Sequence, residues 1–279
     1  MSVNEDLITS EVNNTLSEPI SDDDKIQKIS KFCYSLQNKQ KKIIKEPQFD
    51  DDGDLILDNE DEEIIEIEHK IQTNLSEVGF QLWRGAFFMA DFAIHHSEIF
   101  QNKTILEIGA GTGITSIVIS KHCHPKKVIA TDLDFLHDTI KNNLKRNNST
   151  AYAQVLDLNN YEKTTISSEL PSVEIVIGAD IIYDNNITDS LFNFMKTFQN
   201  SSKRNKIFYF TIDKRYVFTL DDLDTVAPAY EYFMAKLEKF AENSQEISIN
   251  ESYPNEIRQA FCYERSKDLV LLSIHVKPK

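Results

Sequence analysis

The sequence predicts an α/β fold: a mostly parallel sheet with helices on both faces and an antiparallel last strand. Three observations predict it. From residue 104 onward, short apolar runs alternate with helix-length segments, the rhythm of strand–helix–strand units. One junction, Glu107-Ile-Gly-Ala-Gly-Thr-Gly113, is a glycine turn between the strand-like Thr104–Ile108 and the helix-like Ile114–Ile119, which is how a Rossmann-type loop is built. The closing apolar run 269–276 follows a polar break, Glu264-Arg-Ser-Lys-Asp268, and reads as an antiparallel return at the sheet edge.

Taken in order, residues 1–63 are expected to form an acidic, largely disordered arm, and 64–279 a single domain. Within the arm, Ile26, Ile29, Phe32, Cys33 and Leu36 recur at helical spacing behind Ser21, which predicts one short amphipathic helix. The run from Ile64 alternates like a half-buried strand, and Val78–Trp83 leads into an apolar helix over 86–94. Strands follow at 104–109, 127–132, 151–156, 173–179 and 206–212, with helices at 113–122, 134–147 and 187–199 between them. A longer helix over about 222–241 precedes strands near 246–250, 261–264 and 269–276.

Composition excludes several classes. Among 279 residues the formal net charge is −15, and residues 1–70 hold 19 Asp and Glu against 8 Lys and Arg. Eleven acids and no Lys or Arg lie between Asp50 and Glu68, a solvated block that can steer a basic protein partner. Phosphate binding needs the opposite charge, so no direct nucleic-acid partner is expected. Three scattered cysteines argue against a disulfide scaffold and for a reducing compartment. The sequence has neither an apolar run long enough to span a bilayer nor a signal-peptide core, so a soluble, intracellular protein without a membrane partner is expected; a monomer is expected as well. His122-Cys-His124 lacks zinc-ligand spacing, so no metal is expected, and Lys39-Gln-Lys-Lys42 is too thin a cluster for an import signal.

Spacing then narrows the ligand. Glycines at 109, 111 and 113 make GxGxG, whereas the dinucleotide fingerprint needs its third glycine at 114, which is Ile114. The acidic-x-G-x-G-x-G pattern resembles motif I of the S-adenosylmethionine-dependent methyltransferases built on a seven-stranded sheet. For such a cofactor, Gly109, Ala110, Gly111 and Gly113 offer close backbone approach, and Glu107 is placed for the methionine ammonium. Asp132, ending the second strand, suits the ribose diol, with Asp134 as the nearby alternative. Asp157 suits the adenine amino group, with Leu158 on the ring, and Trp83 is placed to cover the adenine edge. The fourth strand ends Ala179-Asp180-Ile-Ile-Tyr183, so Ala179 borders the cofactor, while Asp180 and Tyr183 are the catalytic pair that binds and orients an acceptor amine. Tyr216 and Phe218 fall in a loop suited to shaping an acceptor channel.

Together these motifs resemble family 16 of the seven-strand methyltransferases, most of whose members act on protein lysines. The family's Asp-x-x-Tyr motif falls on Asp180 and Tyr183, and its cofactor contacts on Trp83, Gly109 to Gly111, Asp132, Leu158 and Ala179. Many members carry Trp where this chain has Leu158, which implies a weaker adenine stack. The resemblance implies a lysine-bearing, non-histone protein substrate and a nuclear and cytoplasmic location. Two rivals keep the fold: a small-molecule or RNA methyltransferase, and a catalytically silent cofactor-binding scaffold.

Overall fold

A strand buried on both faces is apolar along most of its length, and Thr104–Ile108 is buried at every position, Glu107 included. It is an interior strand, third of seven in the main sheet. A computed structural model describes residues 8–11, 18–19, 27–36, 48–49, 55–56, 62–161, 164–200, 204–219, 224–242 and 247–277. Two long strands, β1 (Gln27–Ser35) and β2 (Glu62–Lys70), come first, followed by helix α1 (Arg84–His95). Strand β3 (Thr104–Ile108), α2 (Ile114–His122), β4 (Lys127–Asp132), α3 (His137–Arg146) and β5 (Tyr152–Val155) form the first half of the alternating core. Its second half runs β6 (Ile175–Ala179), α4 (Asn185–Asn200) and β7 (Lys206–Asp213). A small hairpin, β8 (Val217–Thr219) and β9 (Asp224–Val226), leads to α5 (Pro228–Glu242) and the closing strands β10 (Ile247–Ser252) and β11 (Leu269–Val276).

The main sheet has seven strands in the order β5-β4-β3-β6-β7-β11-β10. The first five are parallel, and β11 runs antiparallel to both β7 and β10. The predicted Rossmann-like sheet and its antiparallel last strand are therefore present. Period-two alternation splits the strand side chains between two cores. Ile105, Val128 and Ala130 pack with Phe87, Ile117 and Ile140 on one face. Leu106, Ile108, Ile129 and Phe208 pack with Phe194, Phe198 and Phe233 on the other. Strand order reverses between β3 and β6, which opens a crevice at their C-terminal ends.

Three expectations change. The predicted helix around Ile26–Leu36 is strand β1, antiparallel to β2 from Gln27↔Lys70 to Ser35↔Glu62. Its inward residues are Lys28, Ser30, Phe32 and Tyr34, a period of two, while Cys33 is exposed. Phe32 meets Phe87 at 5.2 Å and Tyr34 stacks on Phe261 at 4.5 Å, so this segment belongs to the domain and not to a detached arm. The expected boundary at Ile64 falls inside β2, where Glu66 pairs with Lys31 and Glu68 with Arg146. Most of the acidic block, and Lys39–Lys42, lie outside the described residues.

Second, the strand expected at 261–264 is a single bridge between Tyr34 and Phe261. Buried Asp91 takes the Ala260 and Phe261 N–H groups and Arg265, so side chains replace a ladder there. Third, the helix expected from 222 begins at Pro228. Proline suits the first helical position and keeps the residue before it extended. Among the described residues no helix is long and apolar enough to cross a membrane.

Candidate active site

The glycine turn after β3 is held in left-handed backbone at three positions, with φ of 64° at Gly109, 54° at Gly111 and 82° at Gly113. A Cβ on Gly111 would lie 2.8 Å from the Gly79 carbonyl oxygen, so only glycine lets the 75–80 turn close over the loop. The Ala110 N–H donates to the Thr131 carbonyl at 2.9 Å, and the Gly111 N–H to Asp132 Oδ2 at 2.8 Å. Asp132 Oδ1 accepts the Leu133 N–H at 2.8 Å, so each oxygen accepts one backbone N–H and has capacity for a further hydrogen bond. Burial pushes Asp132 up to about 6, against the hydrogen bonds from Gly111 and Leu133.

Glu107 turns inward. Its Oε2 accepts the Ser116 N–H at 3.1 Å and the Ser116 hydroxyl, capping the first turn of α2 from the strand before it. Burial pushes its carboxyl up to about 7. In this arrangement Glu107 fixes the angle between strand and helix. Asp157 and Leu158 follow β5, beside Asp132: the Leu156 N–H donates to the Asp132 carbonyl at 2.8 Å. Asp157 is tied to Asn160 and the Asn159 N–H, which lower its pKa, and Leu158 packs its partly buried side chain on the second core. Asp134 is exposed and opens a short 3-10 turn before α3. The set fits S-adenosylmethionine: a cradle that a Cβ would fill, a two-oxygen acceptor for a diol, and an apolar shelf beside a carboxylate.

The other rim is built on Asp180, immediately after Ala179 at the end of β6. Asp180 is a non-glycine residue at φ 55°, a conformation Asp tolerates better than most residues. Its Oδ2 accepts the Gly85 N–H at the start of α1, 2.9 Å away. A Cβ at residue 85 would meet that oxygen at 2.5 Å, so glycine there admits the carboxylate. Asp180 Oδ1 accepts the Asp213 N–H at 3.2 Å and lies 3.8 Å from Arg215. Asp213 is pushed up to about 6, by burial first and then by Asp180 and Glu11.

Trp83 caps the N-terminus of α1 and donates its Nε1–H to the Val78 carbonyl at 2.9 Å. Arg215 covers its ring at 5.0 Å, which sets the indole on the Asp180 side of the crevice. Tyr183 is 40% exposed, and its phenol is raised by burial and by the charges of Asp132 and Asp184, while Arg215 opposes them. It therefore stands between the two rims. The helix cap at α4 is Asp184, whose Oδ1 takes the Asn186 and Ile187 N–H groups, which leaves Asp180 free for another task. A cavity of about 640 Å3 opens here, lined among others by Tyr183, Asp213, Arg215, Val217 and Tyr230. Tyr216 and Phe218, expected to shape this channel, are exposed and do not line it; from this segment Asp213, Arg215 and Val217 line it instead. A second cavity, about 540 Å3 near Lys206 and His275, lies at the opposite end of β7.

Sequence reasoning missed Glu11, Gly85 and Asp213. Asp213 ends a parallel strand, a position that signals the crevice; the other two carry no local signal. The His122-Cys-His124 run, expected from the sequence to be surface residues at a helix end, is partly inside: the His122 ring is hydrogen-bonded to the Tyr34 hydroxyl at 2.6 Å, and buried Cys123 donates to the Ala93 carbonyl.

The fold and the two rims define a methyltransferase-type site, and residues 59–240 match the family described as lysine methyltransferase, to which the chain belongs. It is 31% identical over 266 residues to methyltransferase-like protein 22 of Mus musculus, covering 82% of this chain and 64% of the mouse protein. Identity to the Homo sapiens protein of the same name is 28% over 253 residues, covering 77% and 58%. Protein-lysine N-methyltransferase EFM3 of Saccharomyces cerevisiae is 32% identical over 133 residues, 42% of this chain and 39% of the yeast protein. The chain thus spans less than two thirds of the length of these relatives.

Proposed function

We propose that the chain is an S-adenosylmethionine-dependent protein-lysine N-methyltransferase acting on a non-histone protein. One observation carries the reading: Asp180 is anchored to the N-terminus of α1 at the end of β6, beside Tyr183, on the rim opposite the glycine cradle. Gly109, Ala110, Gly111, Gly113, Asp132, Asp157, Leu158 and Ala179 would hold the cofactor, which supplies a methyl group on a sulfonium. Trp83, expected over the adenine edge, is assigned to the acceptor rim instead, because Arg215 covers its ring at 5.0 Å. Glu107 would act through the loop it braces. Asp180 orients the acceptor ammonium, Tyr183 donates a hydrogen bond at the rim, and Asp213, with its raised pKa, stands ready to share the proton that the amine must lose before it can attack. Catalysis by positioning needs no further group. Membership of the lysine methyltransferase family supports a protein lysine as acceptor. The acidity of the chain favours a basic protein, and the reading includes a monomer working in nucleus and cytoplasm. Incubation with methyl-labelled cofactor and whole lysate, fractionated into protein, RNA and small molecules, tests it. A labelled protein carrying methyl-lysine by mass spectrometry is expected, and label confined to RNA or small molecules overturns the reading.

A further inference from the structure

The acceptor rim already contains a cation. The Arg215 guanidinium lies over the Trp83 ring at 5.0 Å, 3.8 Å from Asp180 Oδ1 and 3.7 Å from Glu11 Oε1. Both ion pairs are longer than a hydrogen bond, and its remaining interactions, with Asp213 and Tyr183, are long-range charge interactions. Its side chain is 40% exposed, on the segment that joins β7 to β8. A planar group with five donors that makes no direct hydrogen bond is poorly held for an arginine.

Glu11 arrives from far away and is well anchored. Ile8 and Thr9 pair antiparallel with Thr73 and Gln72. Ser10 donates its N–H to the Ile71 carbonyl at 2.7 Å and its hydroxyl to the Leu82 carbonyl at 3.0 Å. Gln81 donates to the Ile8 carbonyl at 2.8 Å. The strap delivers a carboxylate whose Oε2 is buried and, among the described residues, has no hydrogen-bond partner. A buried acceptor left without a donor is unfavourable, and an added donor relieves it. An incoming ammonium brings three donors, and an indole face beside carboxylates is a favourable environment for it.

We propose that Arg215 is a resident cation in the acceptor seat, displaced toward solvent when a lysine ammonium takes over the Trp83 face, Asp180 and Glu11. The identity of the acceptor rests on the function proposed above; the cation seat itself rests on this geometry. Arg215 is then a specificity-determining gate, and the strap Ile8–Glu11 is one wall of the site.

Trp83 is the single tryptophan of the chain, so its fluorescence reports occupancy directly. The full chain is titrated with Nα-acetyl-lysine methylamide and, as an uncharged match, Nα-acetyl-norleucine methylamide. Arg215→Ala is expected to bind the lysine amide about tenfold more tightly than the parent, a change of about 1.4 kcal/mol, with no gain for the norleucine amide. Adding Glu11→Gln in that background should return the affinity toward the parent value. Arg215→Met keeps the apolar stem and should behave as Arg215→Ala, which separates loss of the cation from loss of packing. Equal lysine-amide affinity in parent and both variants overturns the proposal, as does an equal gain for the norleucine amide. Failure of the methyltransferase reading would appear instead as unlabelled lysate protein, a separate readout.

Discussion

The two rims of the crevice are built by opposite means. The cradle rim is one continuous strand–turn–helix, Thr104 to His122, whose backbone N–H groups bond the neighbouring strand end, Ala110 to the Thr131 carbonyl and Gly111 to the Asp132 carboxylate. The acceptor rim gathers Glu11, Trp83, Arg84, Gly85, Asp180, Asp213 and Arg215 from segments far apart in the chain, and its ion pairs, Arg215 with Glu11 and Asp180 and Arg84 with Asp213, span 3.7 to 3.9 Å. A local, hydrogen-bonded rim is rigid and suits an unvarying ligand. A dispersed rim of loose ion pairs can rearrange, which suits a macromolecular acceptor that must enter and leave.

The strongest way to break this comparison is at its one rigid point on the acceptor side. Asp180→Asn keeps an acceptor for the Gly85 N–H and tolerates the left-handed backbone, so it removes charge and little else. Transfer to protein in the lysate assay should fall by about 100-fold or more, with S-adenosylhomocysteine affinity by calorimetry within a few-fold of the parent. Undiminished labelling would remove Asp180 from its role.

Gly111→Ala attacks the other rim. The left-handed conformation costs a non-glycine residue about 1–2 kcal/mol, and the new Cβ must also push away the Gly79 carbonyl. S-adenosylhomocysteine binding should weaken at least about tenfold by calorimetry, since the strain alone approaches the 1.4 kcal/mol of one decade. Unchanged binding would mean the 75–80 turn moves freely and the cradle is not rigid.

This difference also explains what could be read from the sequence. The cradle was legible because its chemistry is local: three glycines, the strand before and the acid Asp132 at the next strand end all fall in one short stretch. Asp180 and Tyr183 were legible from their place at a strand end, but Gly85, 95 residues from Asp180, and Glu11 were not, because no local pattern encodes a contact across such a distance. Strand β1 was misread for a different reason. Its inward face carries Lys28 and Ser30, and its partner carries inward His69, bonded to Ser30 at 2.8 Å. Polar residues satisfied inside the core broke the two-residue alternation, and the remaining apolar residues happened to fit a helical period.

Glu107 offers a quieter test of the braced rim. Its carboxyl, about 4.5 when exposed, is held near 7 in the folded chain, so the folded state binds the proton more tightly than the unfolded one. Its contribution therefore favours folding most on the acid side and is lost as pH rises through that window. Glu107→Gln still presents an oxygen to Ser116 but cannot ionise. Urea unfolding at pH 5 and pH 8 should show the variant losing less stability over that interval than the parent, by on the order of 1–3 kcal/mol. Identical pH slopes would mean Glu107 is not the buried acid that sets the loop.

The smallest effect belongs to the residue between the rims. The Tyr183 phenol is raised above its ordinary value by burial and by Asp132 and Asp184, so at neutral pH it keeps its proton and can donate a hydrogen bond but cannot act as the base. With 40% of the residue exposed, its hydroxyl competes with water for any partner, and one such hydrogen bond is worth about 0.5–1.5 kcal/mol. Tyr183→Phe should therefore slow transfer by about two- to tenfold, the range that energy spans, leave S-adenosylhomocysteine binding unchanged, and keep the pH–rate profile of the parent. A profile whose alkaline limb disappears in the phenylalanine variant would show instead that the phenol ionises in turnover, and the proton would then have to leave through Tyr183 rather than through the carboxylates around Asp213.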